Sequence, residues 1–137
     1  MHRSEARELV LQLLYEREFV DKPLAEMVYE HDPEDQREYM EETLRGITDR
    51  LADLDQLIDR YAIGWRVERL AVLDRNILRL GLYELLHAPD IPAEVAIDEA
   101  VELSKKYGTE HAQSYINGIL DRAWKDTRKG RLPLSHD

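Results

Sequence analysis

The stretch from Leu73 to His87, LDRNILRLGLYELLH, constrains the fold more than any other part of the chain. Ile77, Leu78, Leu80, Leu82, Tyr83, Leu85 and Leu86 project in nearly every direction around a helix, and a helix that is apolar all round has to be surrounded by others. Asp74 is placed to cap its N-terminus, because a carboxylate there can accept from the unpaired N–H groups of the first turn. Leu73 and Leu78 stand on either side of that cap at the hydrophobic-staple spacing. The reading is a central helix inside a helical domain.

The rest of the chain supplies the surrounding helices. Ala6, Leu9, Val10, Leu13 and Leu14 give a stripe for a first helix from about Ser4 to Phe19, leaving Arg3, Arg7 and Gln12 to face outward. Asp21 with Pro23 and Asp32 with Pro33 open two further helices. Met40, Leu44, Ile47, Leu51, Leu54, Ile58 and Tyr61 then step by four and three, either as one helix or as two with a break near Asp53. This stripe reads as bundle packing, being short of the heptads a coiled coil needs. Gly64 ends the segment, and residues 65–72 form one turn into the central helix. HAPDIPAEV is an extended connector, and Ala96 to Tyr107 is amphipathic. Gly108 fits the left-handed position after a helix end, and Thr109 caps a last helix. Gly118 inside that helix suggests a close backbone crossing. No alternating strand pattern occurs. The expected fold is all-α, six to seven helices in two small subdomains, roughly 1–63 and 64–130, forming one domain over 1–137 with a frayed tail at 131–137.

Composition narrows the function. The chain has no cysteine, which excludes disulfides, thiolate metal sites and cysteine nucleophiles and fits a reducing compartment. Its charged start lacks a signal-peptide core, and no window approaches the roughly 18 apolar residues of a membrane span; a cytoplasmic protein without membrane contact is expected. The net charge is −10, from 29 acidic and 19 basic residues. Taken alone, that opposes nucleic-acid binding, which needs clustered Lys and Arg. The charge is uneven, however. Acids crowd residues 21–42, whereas Arg122, Lys125, Arg128, Lys129 and Arg131 crowd the end of the chain. Both runs read equally as solvated faces.

A search for catalytic chemistry is negative. Glu84 and His87 form one Glu-x-x-His pair, but di-iron bundles need two such pairs and two more glutamates. The remaining histidines have no zinc-ligand spacing. No serine sits in a Gly-x-Ser-x-Gly turn, and there is no phosphate-binding glycine loop. The expectation is a non-enzyme with no cofactor and no metal.

Trp65, Arg69, Asp74, Arg75, Ile77, Leu78, Arg79, Leu80, Tyr83 and Glu84 spell W-x3-R-x4-D-R-x-I-L-R-L-x2-Y-E. With Pro92, VAIDEAVELSKKYG at Val95–Gly108, YINGILD at Tyr115–Asp121 and ARELVLQLLYERE at Ala6–Glu18, the chain resembles the NusB family of bacterial transcription antitermination factors. The blocks come in family order and span most of the chain. The resemblance implies a helical RNA-binding factor that pairs with the ribosomal protein NusE. The pair binds the single-stranded boxA element of nascent ribosomal RNA and acts in the RNA polymerase antitermination complex; some members are homodimers when alone.

Carried over by position, the resemblance implies RNA contacts at Arg3, Arg7, Gln12 and Tyr15 and at Lys106, His111 and Tyr115. Arg and Lys would hold phosphates, and Tyr115 could stack on a splayed base. Core packing is an equal reading for Tyr15 and Tyr115. The implied NusE face is Arg69, Asp74, Arg75 and Arg79. For Asp74 a capping role is compatible with partner contact, so Asp74→Asn is expected to keep the fold. Family members often begin with consecutive arginines, whereas Arg3 and Arg7 are interleaved here with Glu5 and Glu8. Weak RNA binding by the isolated protein is therefore expected. Two other readings are a protein-interaction module with little RNA binding and the NusB-like domain of an rRNA methyltransferase. The second needs a cofactor domain and catalytic cysteines, which this sequence lacks.

Overall fold

The computed structural model describes residues 1–129. Seven α-helices and no strand occur among the described residues: α1 (Arg3–Arg17), α2 (Leu24–Glu30), α3 (Arg37–Asp49), α4 (Leu51–Tyr61), α5 (Val72–His87), α6 (Ala93–Tyr107) and α7 (Ala112–Arg128). Single 3-10 turns at Glu34–Gln36 and Val67–Arg69 lead into α3 and towards α5. The expected frayed end at 131–137 lies outside the described residues.

The all-round apolarity of α5 decides the architecture. Ile77, Leu78, Leu80 and Leu82 are completely or almost completely buried, and α5 packs against α1, α3, α4, α6 and α7. Each such leucine or isoleucine withdrawn from water contributes on the order of 1.5–3 kcal/mol, so the helices around α5 are held mainly by this shared surface. Gly81 marks a close crossing: a Cβ there would stand 3.0 Å from Leu120 on α7 and 3.3 Å from Ala100 on α6. Gly118, expected at such a crossing, would meet only the tip of Arg122.

The long stripe breaks at Arg50, whose backbone (φ −114, ψ 18) leaves the helical region. The bend turns Leu51 towards solvent, while Met40, Leu44, Ile47, Leu54, Ile58 and Tyr61 stay buried. Three further expectations fail at helix ends. α5 begins at Val72, two residues before Asp74, and Asp74 does not cap it. Gly108 is extended (φ −78, ψ 170), not left-handed, and is small because a Cβ would approach Ser104 O at 2.7 Å and Asp74 Oδ1 at 3.0 Å. Thr109 does not cap α7; His111 occupies the N-cap position in the left-handed region (φ 74) and makes no side-chain capping hydrogen bond.

Arg7 also departs from expectation. It sits on the α1 stripe, only 3% exposed. Its Nε donates to both carboxylate oxygens of Glu84, at 2.9 and 3.2 Å, and Tyr39 donates its hydroxyl to the same carboxylate at 2.8 Å. A buried guanidinium is tolerated only when paired and hydrogen-bonded. The partner is 77 residues away, beyond the reach of helical periodicity. Glu84, half of the Glu-x-x-His pair, is therefore occupied by an arginine and a tyrosine.

Candidate nucleic-acid and partner interface

Several candidate residues gather where the end of α1, the start of α5 and the α6–α7 turn meet, whereas Arg3 and Arg7 lie in the first half of α1 against Gln36 and Glu84. Asp74 is the hinge of this region and is 1% exposed. Its Oδ1 accepts from the Thr109 N–H at 3.0 Å. Its Oδ2 accepts from the Thr109 and Tyr115 hydroxyls, each at 2.6 Å. A buried carboxylate needs such donors, because it would otherwise lose its hydration without replacement. Burial, and then the bond to Asp74, push the Tyr115 phenol well above its ordinary pKa. Tyr115 is thus half-buried and anchored by its hydroxyl.

A second network runs beside it. Arg75 and Asn76 both donate to Glu18 at the end of α1. Arg79 grips Asp55 of α4 with two parallel bonds, 2.7 and 2.8 Å, and also donates to the Asn76 side-chain oxygen at 3.0 Å. Such fork-to-fork geometry fixes orientation as well as supplying charge. Of the four residues on the NusE face implied by the sequence, Asp74 and Arg79 are therefore buried inside the fold. Arg75 is half-buried against Glu18, and Arg69 is exposed.

The residues implied for RNA divide in the same way. Arg3, Gln12, Tyr15, Lys106 and His111 are exposed, while Arg7 is buried. Arg3 donates Nε to Gln36 at 2.7 Å and lies over the Tyr39 ring. Lys106 pairs with Glu8, which also accepts from the Tyr107 hydroxyl at 2.9 Å. That contact holds the Lys106 ammonium above its ordinary pKa and the Glu8 carboxyl below its own. Tyr15 is 42% exposed, so it is not a core residue.

Phe19 was not among the expected residues. It is 65% exposed and its ring centroid is 5.1 Å from that of Tyr15. The signal was the i, i+4 spacing of two aromatic residues across the end of α1. Ile63 and Trp65 are likewise exposed, at 83% and 61%. They edge a cavity of about 580 Å³ that Arg69, Asp74, Tyr115 and Arg122 also line. Glu18 and Thr109 were missed as well; no local pattern marks either, since their partners are 57 and 35 residues away.

The model of the NusB family matches residues 4–125. The chain belongs to the NusB family. A transcription antitermination protein NusB from Myxococcus xanthus is 39% identical over 130 residues, which is 88% of this chain and 92% of the relative. The NusB of Thermotoga maritima is 53% identical over 93 residues, 68% of this chain and 63% of that protein, so the match spans less than two thirds of that relative. A structure of the T. maritima NusB superposes with a TM-score of 0.84 at 41% identity, covering 96% of this chain and 99% of the other. A crystal structure of NusB and NusE in complex with double-stranded RNA contains a chain that superposes with a TM-score of 0.78 at 26% identity, covering 90% and 96%.

Two surface features stand out on this chain. Its exposed rings, Tyr15 and Phe19, stand next to the Glu18–Arg75 pair. Its apolar groove is edged by Arg69 and Arg122. Among the described residues, no group of three or more His, Asp or Glu side chains is arranged to hold a metal ion. No described helix is long and apolar enough to cross a membrane.

Proposed function

We propose that the chain is a non-catalytic antitermination factor that binds the boxA element of nascent ribosomal RNA together with NusE and acts on RNA polymerase. The observation that carries this reading is the near full-length match to NusB antitermination proteins, one of whose structures holds NusE and RNA. The RNA in that complex is double-stranded. The single-stranded part of the reading rests on the exposed Tyr15 and Phe19 rings, because unpaired bases stack on aromatic side chains.

On this reading Arg3, Gln12, Tyr15, Lys106 and His111 meet RNA directly. Arg7 positions α1 from beneath, and Tyr115 presents a ring edge while its hydroxyl stays on Asp74. NusE packs on Arg69, Arg75 and the groove beside Trp65, with Asp74 and Arg79 holding that face in shape. Few free cations face the RNA, and each missing phosphate contact flattens the salt slope by roughly 0.7. The isolated protein accordingly binds boxA weakly, and NusE supplies much of the positive surface.

Titration of a boxA-like RNA at several salt concentrations, with and without NusE, tests this. Tight and steeply salt-dependent binding by the protein alone overturns the dependence on NusE. No RNA binding even with NusE overturns the RNA reading in favour of a protein-interaction module. Mass measurement in solution with and without NusE separates a homodimer from the heterodimer.

A further inference from the structure

A cavity of about 390 Å³ lies between α3, the last two turns of α5 and the loop after it; of the residues implied for RNA it takes in only Arg3. Its size is that of sites for small organic ligands, which run from roughly 300 to 1,000 Å³. Arg45 and Arg50 line it, with Arg3 at its edge. Among the described residues Arg45 has no ion pair, and Arg50 reaches only the Gly46 carbonyl, at 3.4 Å. Glu42, Asp49 and Asp90 also line the cavity, yet no ion pair joins them to Arg45 or Arg50.

The floor is aromatic. Tyr83 and His87 are one turn apart on α5, with ring centroids 5.9 Å from each other. The Tyr83 ring can lie where it does only because residue 46 has no side chain: a Cβ there would fall 2.2 Å from the ring. His87 Nδ1 is the one buried side-chain polar atom without a hydrogen-bond partner among the described residues. Burial, and secondarily the Arg50 charge, hold this imidazole below its ordinary pKa. It is therefore neutral near pH 7, with one nitrogen to donate and one to accept. An orphaned buried polar atom in a cavity wall calls for a partner.

We propose that this cavity binds a nucleotide, with its phosphate on Arg45 and Arg50 and its base against Tyr83 and His87. The balance of charge selects this class over a bare anion. Three arginines and three carboxylates make the lining formally neutral, so a simple ion gains little. A nucleotide uses both signs: its phosphate takes the guanidinium groups, while amino groups of the base can donate to the carboxylates. The nucleotide is either free or one residue of an RNA strand.

NMR of the His and Tyr ring resonances in the full chain tests the proposal, with AMP, inorganic phosphate and a short single-stranded RNA as probes. AMP or the RNA is expected to shift the His87 ring saturably. Binding should be about tenfold or more tighter than phosphate, and Arg50→Gln should weaken it by about tenfold or more, as loss of a charge-assisted hydrogen bond implies. Arg45→Gln, at an exposed position, should act in the same sense without altering the melting temperature. A response to AMP assigns a free nucleotide, and a response to RNA alone assigns a strand residue. No response to either, an equal response to phosphate, or unchanged affinity in Arg50→Gln overturns the proposal. Because the cavity is separate from the Tyr15–Arg75 region, NusE binding by the same variants reports independently on the proposed function.

Discussion

Tyr115, on the last helix, donates its hydroxyl across 2.6 Å to a carboxylate of Asp74 that is shut away from solvent at the start of the central helix. The bond joins the surface proposed for RNA to the surface proposed for NusE. It also means that Asp74 acts through α7 and the α6–α7 turn and does not cap its own helix.

Asp74→Asn is therefore destabilising, contrary to the expectation from a capping role. The amide brings an NH2 group against donors and removes the charge that Thr109 and Tyr115 hydrogen-bond. Losing bonds to a charged acceptor costs about 1.5–3 kcal/mol, whereas Tyr115→Phe, which removes one donor, costs closer to about 1–2 kcal/mol. Urea denaturation of both variants checks the order. Equal stability of Asp74→Asn and the parent protein would remove the role assigned to the carboxylate.

Arg7→Ala should be among the most damaging single substitutions in α1. It strands the Glu84 carboxylate in the core with the Tyr39 hydroxyl as its remaining donor. Breaking a buried pair by removing one partner costs about 3–5 kcal/mol. Replacing both members, Arg7→Met with Glu84→Leu, should recover much of that loss, because the uncompensated charge is gone. Chemical denaturation of the single and double variants measures the coupling.

Gly46→Ala sets two small effects against each other. Alanine gains up to about 1 kcal/mol of helix propensity over glycine, but its Cβ would overlap the Tyr83 ring, and overpacking costs about 1–3 kcal/mol. The net expectation is a loss. Adding Tyr83→Ala removes the clash, so Gly46→Ala should become neutral or stabilising in that background. A thermal double-mutant cycle reads the sign.

His87 gives a pH dependence with a definite direction. Burial, then the Arg50 charge, lower its folded-state pKa below the unfolded value of about 6.5. The folded state thus prefers the neutral ring and, in this window, binds fewer protons than the unfolded chain. The stability this supplies is complete above the unfolded pKa and is lost as pH falls through the folded one. Melting temperatures between about pH 7.5 and 5.5 should fall more steeply for the parent than for His87→Gln. Parallel profiles would show that His87 does not titrate with unfolding.

Tyr15→Ala and Phe19→Ala bear on the proposed interface. Both rings are exposed, so neither change should lower stability appreciably. If bases stack there, each substitution costs about 1–3 kcal/mol of RNA binding, with the salt slope unchanged because no phosphate contact is lost. Filter binding of a boxA-like RNA in the presence of NusE separates this from an electrostatic role.

The helical architecture was legible because burial repeats locally. The apolar girdle of α5 and the stripe through Met40, Leu44 and Ile47 needed no long-range information. The site was only partly legible, for the opposite reason. Arg7 stands at stripe spacing from Val10, Leu11 and Leu14, but its charge alone reads as solvent-facing, because the Glu84 that compensates it lies in a distant helix. Asp74 has the chemistry of a cap, yet α5 starts two residues earlier and Thr109 and Tyr115 take its oxygens. The Arg79–Asp55 and Arg75–Glu18 pairs likewise turn cations that looked free into fixed struts. Exposed rings such as Phe19 were hidden in plain composition, because an apolar residue is read as core until its surroundings are known.

The position of α5 has one more consequence. Because α1, α3, α4, α6 and α7 each cover part of it, a backbone nick in the connector between Gly64 and Arg66 would leave neither fragment with a complete apolar shell. In the intact chain, the amides of Ile77 to Leu82 would exchange with deuterium last, and only through global opening.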